Sequence, residues 1–417
     1  MRRSDDTSLL CLLWSVAGWP EGCYRSTDGR EIEVVDAGEV VDEESVALGA
    51  RVKIDGCLCS GAIALGDERA DVAGVIARFT TERRVVMLDS SGTQLPVVQI
   101  EIDDEVRRMY NRLRCGASHF YCGERLREMD SLHRSDLFTG LVFDRIARKN
   151  GDIEKIFNDC QKDWNQTLYV MLFRVMGDVR NREAYMELAR RVPYRIIQRE
   201  REAARAAEAM LLCASGLLDQ YEDDDYLHRL KADFFYLSHK YNIEPMRASQ
   251  WTLMGVLPRN HPVLRLSQMA SLLCSSELLF SKVIDCCTAD DVSRLFMTEA
   301  ADYWTTHYIP ARQSANSVKR LGRSKAHLIG INLVAPMQFF YSARTGREEL
   351  RTRAVELLES IPAEDNRYIR GWQGEGVPVQ SAFDTQALLQ LFNEYCAEGR
   401  CCACRLGRRL IKKSVKK

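Results

Sequence analysis

The sequence predicts an α+β protein, with a small N-terminal β-rich domain over residues 1–110 followed by a larger all-helical domain over residues 111–417. Three observations predict it. Between about residues 30 and 102 apolar side chains recur with period two among β-branched residues, the spacing of strands with one buried face. Beyond residue 104 the period changes to 3.6 and stays there, which is the spacing of helices. A chain of 417 residues with 46% hydrophobic and 28% charged residues is long and apolar enough to bury sizeable cores, which excludes disordered and fibrous classes.

The elements follow in order. Leu9 to Trp19 is apolar and follows Arg2 and Arg3, so it imitates a secretory leader. Asp5 and Asp6 argue instead for the positive N-terminal end of a short amphipathic helix in a cytosolic protein. Strands are predicted over Glu31–Val35, Ala50–Ile54, Cys57–Leu65, Val75–Thr80, Val85–Leu88 and Leu95–Ile102. Asp55-Gly56 predicts a type I′ hairpin between the second and third, because both central residues of that turn need positive φ. Helices are predicted near 133–149, 152–176, 181–191, 198–218, 223–240, 262–276, 278–285, 289–298, 323–341, 347–359 and 382–396, with Pro193, Pro258, Pro262, Pro310 and Pro362 between them or in a first turn. Neither an internal repeat nor a low-complexity linker interrupts this order, and no stretch reaches the ~18 apolar residues of a membrane span.

Charge is balanced overall, 58 basic against 59 acidic residues, but not between the parts. Residues 1–110 hold 12 basic and 21 acidic residues, a net of −9, which leaves 46 against 38, a net of +8, for residues 111–417. A polyanionic partner, nucleic acid or an acidic protein, therefore belongs to the helical part. The last residues, 400–417, carry eight basic side chains and no acid, and read as a frayed, solvated tail.

Fifteen cysteines, an odd number in a long chain, fit reduced thiols better than a disulfide framework. Cys160, Cys213 and Cys274 lie in helical patterns and read as small core hydrophobes. Cys396, Cys401 and Cys404 stand apart, because the C-x4-C-x2-C spacing across a helix end and a turn can bring three sulfurs to one zinc or iron–sulfur cluster. Cys115 is the first choice for a fourth ligand, with His307 and Cys402 as alternatives; reduced structural thiols are the competing reading. Glu222 to Asp225 lacks the alternating ligands and glycine of a calcium loop and reads as the acidic first turn of a helix. Trp304, His307 and Tyr308, three and four apart, are expected on one helical face as a packed aromatic cluster with a hydrogen-bonded histidine. Phosphate-loop, dinucleotide, zinc-protease and serine-hydrolase signatures are absent from the sequence.

The run from Ser381 to Cys396, followed by Arg400-Cys401, Cys404 and Gly407, resembles the bacterial domain-of-unknown-function family 2851. So do Asn158, Trp164, the segment from Glu208 to Leu212, Trp304, His307-Tyr308, Asn332 and Val334-Ala335-Pro336. Cys115 also falls where that family has a cysteine. The resemblance runs from the first helix to Leu410 and implies no established activity. In the strand-rich part the family carries Gly-Pro-Asp-Phe before one hairpin strand and Glu-Ile-His near the end of the next, a layout similar to the metal-binding core of PD-(D/E)XK nucleases. Here the matching stretches read Ser45-Val46-Ala47-Leu48 and Ala62-Ile63-Ala64-Leu65-Gly66. Ala47, Ala64 and Gly66 offer no ligand, and Glu43, Glu44 and Asp67 are the nearby acids that would have to substitute. The expectation is a non-catalytic cytosolic binding or scaffolding protein of nuclease-like ancestry. The alternatives are a metal-dependent nucleic-acid-processing enzyme with relocated acids, or a metal- or redox-sensing protein that uses the C-terminal cysteines.

Overall fold

The computed structural model describes the chain except residues 1–4, 16–19, 42–44, 67–72, 83–85, 89–91, 93, 115–119, 121, 223, 399, 402 and 416–417. Where the sequence suggests one cut near residue 110, contacts group residues 1–137, 371–377 and 389–417 in one compact unit and 138–370 with 378–388 in a second. No described helix is long and apolar enough to cross a membrane.

The first unit begins with α1 (Asp5–Trp14) and nine strands: β1 (Gly22–Arg25), β2 (Glu31–Asp36), β3 (Glu39–Val41), β4 (Val46–Ile54), β5 (Cys57–Leu65), β6 (Val75–Thr80), β7 (Met87–Leu88), β8 (Gln94–Leu95) and β9 (Val97–Gln99). Seven form a mixed sheet in the order β1-β2-β4-β5-β6-β9, with β3 beside β4 and β7 with β8 forming a separate ribbon. The β5–β6 and β6–β9 pairs are parallel and the rest antiparallel. The Asp55-Gly56 turn joins β4 to β5 with φ of 47° and 82°, the positive pair that its sequence predicts. The expected strand Leu95–Ile102 is instead split at Pro96, which has no N–H to give to a ladder.

α1 is not amphipathic. Leu9, Leu10, Cys11, Leu12, Leu13 and Trp14 are all buried. Leu10, Cys11 and Trp14 join the core of the sheet, while Leu9, Leu12 and Leu13 meet Val106 and Tyr110 of α2 (Asp104–Arg114). A helix covered on both sides needs no polar face.

α3 (Gly123–Glu128) belongs to the first unit, α4 (Ser131–Asp159) carries the chain into the second, and the second continues through α5 (Trp164–Met176), α6 (Arg182–Arg191), α7 (Tyr194–Arg199), α8 (Ala204–Ala214), α9 (Asp225–Tyr241), α10 (Pro262–Ser275), α11 (Leu279–Asp285) and α12 (Ala289–Phe296). A two-stranded ribbon, β10 (His307–Ile309) and β11 (Arg312–Gln313), precedes α13 (Arg323–Ile329), α14 (Ala335–Thr345), α15 (Glu349–Ser360), α16 (Arg367–Gly374) and α17 (Ala382–Leu391). Asn150-Gly151 suggests a break that does not occur. The helix runs on because Ile153, Ile156 and Phe157 are buried, and it stops where Gln161 and Lys162 take positive φ. Asp163 then caps α5 by accepting from the amides of Asn165 and Gln166. The predicted helix 198–218 is likewise broken between α7 and α8. The acidic run stands at the start of α9 as expected, with Asp225 in the first turn and Asp224 as the N-cap, accepting from Tyr226 and Leu227, while Asp223 lies outside the described residues.

The C-terminus overturns the frayed-tail reading. Residues Arg405–Val415 form α18, whose Ile411 is buried against Val106 and Tyr110, and Arg409 pairs with Asp136. The apolar positions Leu406, Leu410 and Ile411 are drawn to the packed side of the helix, while Arg405 and Arg408 lie exposed on it.

Candidate functional site

A cavity of about 380 Å3 opens in the second unit, lined by α4, α5, α6, α13 and the segment before α14. Six cationic side chains face it, Arg145, Arg148, Lys149, Arg174, Arg182 and Lys325, against two acids, Asp152 and Asp178. Arg145, Arg148 and Lys149 share a face of α4 because they are spaced i, i+3, i+4. Asp152 accepts from Arg174 at 2.7 Å and Asp178 from Lys325 at 2.5 Å, so the acids are each engaged by one cation and the cavity keeps a positive excess. Arg182 Nε is buried without a hydrogen-bond partner among the described residues, an uncommon state for a donor and one that an acceptor from outside would relieve.

Lys149 anchors the floor. Its Nζ donates to Asn332 Oδ1 at 3.1 Å, Gln386 Oε1 at 3.1 Å and the Ile331 carbonyl at 3.4 Å. Gln386 is held in turn by Arg145 at 2.7 Å and donates to Glu364 at 2.5 Å. All three acceptors on the ammonium are neutral. Burial, followed by repulsion from Arg145, brings the Lys149 ammonium down to about 7, with Glu364 pulling the other way and Arg148 adding to the repulsion. Asn332 and Ile331 lie in a π-helical turn, Gly330–Val334, between α13 and α14. Pro336 accounts for it: proline cannot donate back to the carbonyl four residues earlier, which is that of Asn332, so the turn widens and Ala335 N donates to Gly330 O instead. A second hollow of about 460 Å3 shares Asp178, Lys325 and Leu328 with the first and adds Arg259, Arg265, Lys319 and Arg320, so the positive surface is continuous.

Trp304, His307 and Tyr308 do not share a helical face. Trp304 ends up in a 3₁₀ turn, Asp302–Thr306, and the other two in β10. A different aromatic stack forms, which holds His307 but not Tyr308, whose ring lies under Lys319. Tyr226 lies on Tyr303 at 4.0 Å and Tyr303 on His307 at 4.2 Å, and His307 Nδ1 donates to the Tyr303 carbonyl at 3.1 Å. Trp304 is fully buried and donates to buried Glu208 at 2.8 Å.

In the first unit, the positions Ala47, Ala64 and Gly66, where the sequence resemblance would expect metal ligands, are filled by apolar packing. Ala47 on β4 and Ala64 on β5 are 0% and 1% exposed, and Ala47 belongs to the core cluster of the sheet. Gly66 has φ +83°, and a Cβ there would collide with the Thr7 side chain of α1. Glu43, Glu44 and Asp67 lie outside the described residues.

The thirteen described cysteines are free thiols, Cys213 buried and Cys160 and Cys274 half-buried among them. Of the predicted ligands, Cys396, Cys401 and Cys404 lie together in the first unit. Cys115 and Cys402 are outside the described residues, and His307 belongs to the second unit. Cys122, at the start of α3, joins the three instead, a neighbour that sequence spacing cannot supply because it is remote in the chain. Burial pushes the Cys122 thiol up to about 12, and the charges of Cys404 and Cys401 add to the rise. Cys396 is raised in the same way by burial and by Cys404, Cys122 and Cys401. Among the described residues, no three Cys, His, Asp or Glu side chains gather closely enough to hold a single metal ion.

A family model described as "Protein of unknown function (DUF2851)" matches residues 7–367. The run from Ser381 to Gly407 lies beyond the matched residues. Comparison with curated proteins and with solved structures gave no match.

Proposed function

The chain belongs to the DUF2851 family, and from that premise we propose that it is a non-catalytic nucleic-acid-binding protein of the cytosol, of nuclease-like ancestry, which takes phosphates of the strand in the basic cavity of its helical unit. The observation that carries this reading is the set of six cations against two acids around one cavity, with the buried Arg182 Nε lacking an acceptor among the described residues. Phosphate oxygens supply the charge and the acceptors that the cavity lacks. The continuous second hollow extends the positive track to further phosphates. Apolar packing at Ala47 and Ala64, and the collision at Gly66, support the loss of catalysis. The free thiols support a reducing compartment.

The test is fluorescence anisotropy with labelled single-stranded and duplex oligonucleotides across a salt series. Binding is expected to weaken steeply with salt, and Arg148→Glu with Arg182→Glu to lower affinity at least about tenfold and flatten the salt slope by about one per lost phosphate contact. The same oligonucleotides should survive incubation with Mg²⁺ or Mn²⁺. Affinity unchanged by the double reversal would sink the cavity assignment, preference for polyglutamate over oligonucleotide would replace nucleic acid by an acidic protein, and metal-dependent cleavage would restore the enzyme reading.

Lys149 adds a pH signature. With its ammonium near 7, the cavity loses a positive charge as pH rises through that value, so affinity for a non-titrating anion such as sulfate should fall between about pH 6 and 8.5. A bound anion favours the ammonium, so saturating sulfate moves the midpoint upward. For folding the sign is opposite: the unfolded lysine titrates near 10.4, holds more protons between 7 and that value, and stability contributed here rises with pH across the window. Lys149→Met should flatten both profiles, as isothermal titration and urea unfolding would show; retained pH dependence would assign it to another group.

A further inference from the structure

We propose that the basic cavity of the helical unit takes a terminal phosphate, the phosphomonoester at the end of a strand, and that the adjoining hollow receives the phosphodiesters that follow it. The proposal rests on the nucleic-acid reading and deepens it. A strand that passes across a protein needs a groove open at both ends, whereas this cavity is closed at one. Ile153, Met171 and Pro336 are buried along its floor, and Arg148, Asp178 and Val179 are exposed at its rim. With a volume of about 380 Å3 it has room for a phosphate and its sugar, not for the flank of a duplex.

The positive charge is concentrated at the closed end. The Lys149 ammonium donates to Asn332, Gln386 and the Ile331 carbonyl, all neutral. Asn332 is itself fixed, its Nδ2 donating to the Leu328 carbonyl at 3.0 Å, which leaves its Oδ1 for the ammonium. Gln386 Oε1 also accepts from Arg145 at 2.7 Å, so two cations share one neutral oxygen. Glu364 stands behind Gln386 and lines a different hollow. Asp152 and Asp178 are each engaged by one cation, at 2.7 Å and 2.5 Å, and Arg182 Nε lacks an acceptor among the described residues.

Six lining cations against two acids leave an excess of up to four charges. A phosphodiester brings roughly one negative charge. A phosphomonoester brings about −1.5 to −2 at neutral pH, with three strong acceptor oxygens that guanidinium groups bind in pairs. The monoester therefore offsets more of the excess, and does so where the cavity ends. The way out is marked as well. The adjoining hollow shares Asp178, Lys325 and Leu328 with the cavity and adds Arg259, Arg265 and Arg320. Arg320 pairs with Glu299, whereas Arg265 donates to the neutral Asn260 and Gln268, so Arg259 and Arg265 supply charge for internal phosphates.

Full-length protein is titrated against one single-stranded oligonucleotide, labelled at an internal base, in four forms: 5′-phosphorylated, 3′-phosphorylated, hydroxyl at both ends, and circular. A phosphorylated form should bind at least about tenfold tighter than the hydroxyl form, and the circle no tighter than the hydroxyl form. Which phosphate confers the gain identifies the end that is held. Arg182→Gln should cut the preference to below about threefold, whereas Arg259→Gln should weaken all four forms alike. The preference is a ratio within one preparation, so a partly misfolded variant changes it little. A nucleoside monophosphate should compete more weakly than the phosphorylated strand, because it leaves the second hollow empty. Equal affinity for the phosphorylated, hydroxyl and circular forms overturns the terminal assignment and leaves the nucleic-acid reading standing, while failure of every form to bind overturns both. A preference that survives Arg182→Gln, or a monophosphate that competes as well as the strand, also overturns the assignment.

Discussion

Trp304→Ala lowers the stability of the helical unit by about 4–5 kcal/mol, the largest effect expected from any single truncation there. The indole is fully buried, so its loss removes a large apolar surface and leaves a cavity. Its Nε1 is also the donor to Glu208, a side chain 4% exposed, at 2.8 Å. Truncation therefore opens a void and strips a buried carboxyl of a partner, and the two costs add. Trp304→Phe separates them, since it keeps most of the ring and loses only the donor, at a cost of about 1–3 kcal/mol. Urea unfolding gives the total, and hydrogen exchange should show the loss at α8, which carries Glu208, and at α9, whose Tyr226 meets the Trp304 ring edge-on. Equal effects of the two substitutions would mean that the hydrogen bond, and not the packing, dominates.

Ala47→Asp, which places an acid where the sequence resemblance would expect one, is expected to destabilise the first unit by about 4 kcal/mol at neutral pH and to yield no nuclease activity. Ala47 sits in β4 opposite Ile63 of β5 and packs in a core with Leu10, Ile32, Ala50 and Phe79. A carboxylate there loses its water and gains no cation. Burial without a partner raises its pKa in the folded state above the unfolded value of about 3.9. The cost is thus present above the raised value and fades as pH falls toward 3.9, where the side chain is neutral in both states. Hydrogen exchange over β4 and β5 at pH 7 and pH 4 measures this directly. A variant as stable as the wild type at pH 7, or one that cleaves DNA with Mg²⁺, would mean that the pocket for a metal ion persists.

The sequence by itself determined the fold class, the helix at the N-terminus, the Asp55-Gly56 hairpin, the strands β5 and β6 to the residue, and the acidic start of α9. Each of these is a local matter, decided by side-chain period, by the φ that a turn demands or by a carboxylate next to its own helix amides. The cationic face Arg145, Arg148 and Lys149 is legible for the same reason, since it depends on helical spacing alone. Tertiary structure decided the rest. Asn150-Gly151 could not stop α4 because burial of Ile153 and Phe157 outweighs the preference of two residues. The basic C-terminus became α18 because α2 offered Val106 and Tyr110 as a partner for Ile411. Trp304 left the helical path for a 3₁₀ turn and His307 and Tyr308 for β10, so the stack that forms is Tyr226, Tyr303 and His307, while the Tyr308 ring lies under Lys319. Arg174, Arg182 and Lys325 joined the α4 cations, and Cys122 joined Cys396, Cys401 and Cys404, only because packing brought together segments whose separation in the chain carries no period for a sequence to display.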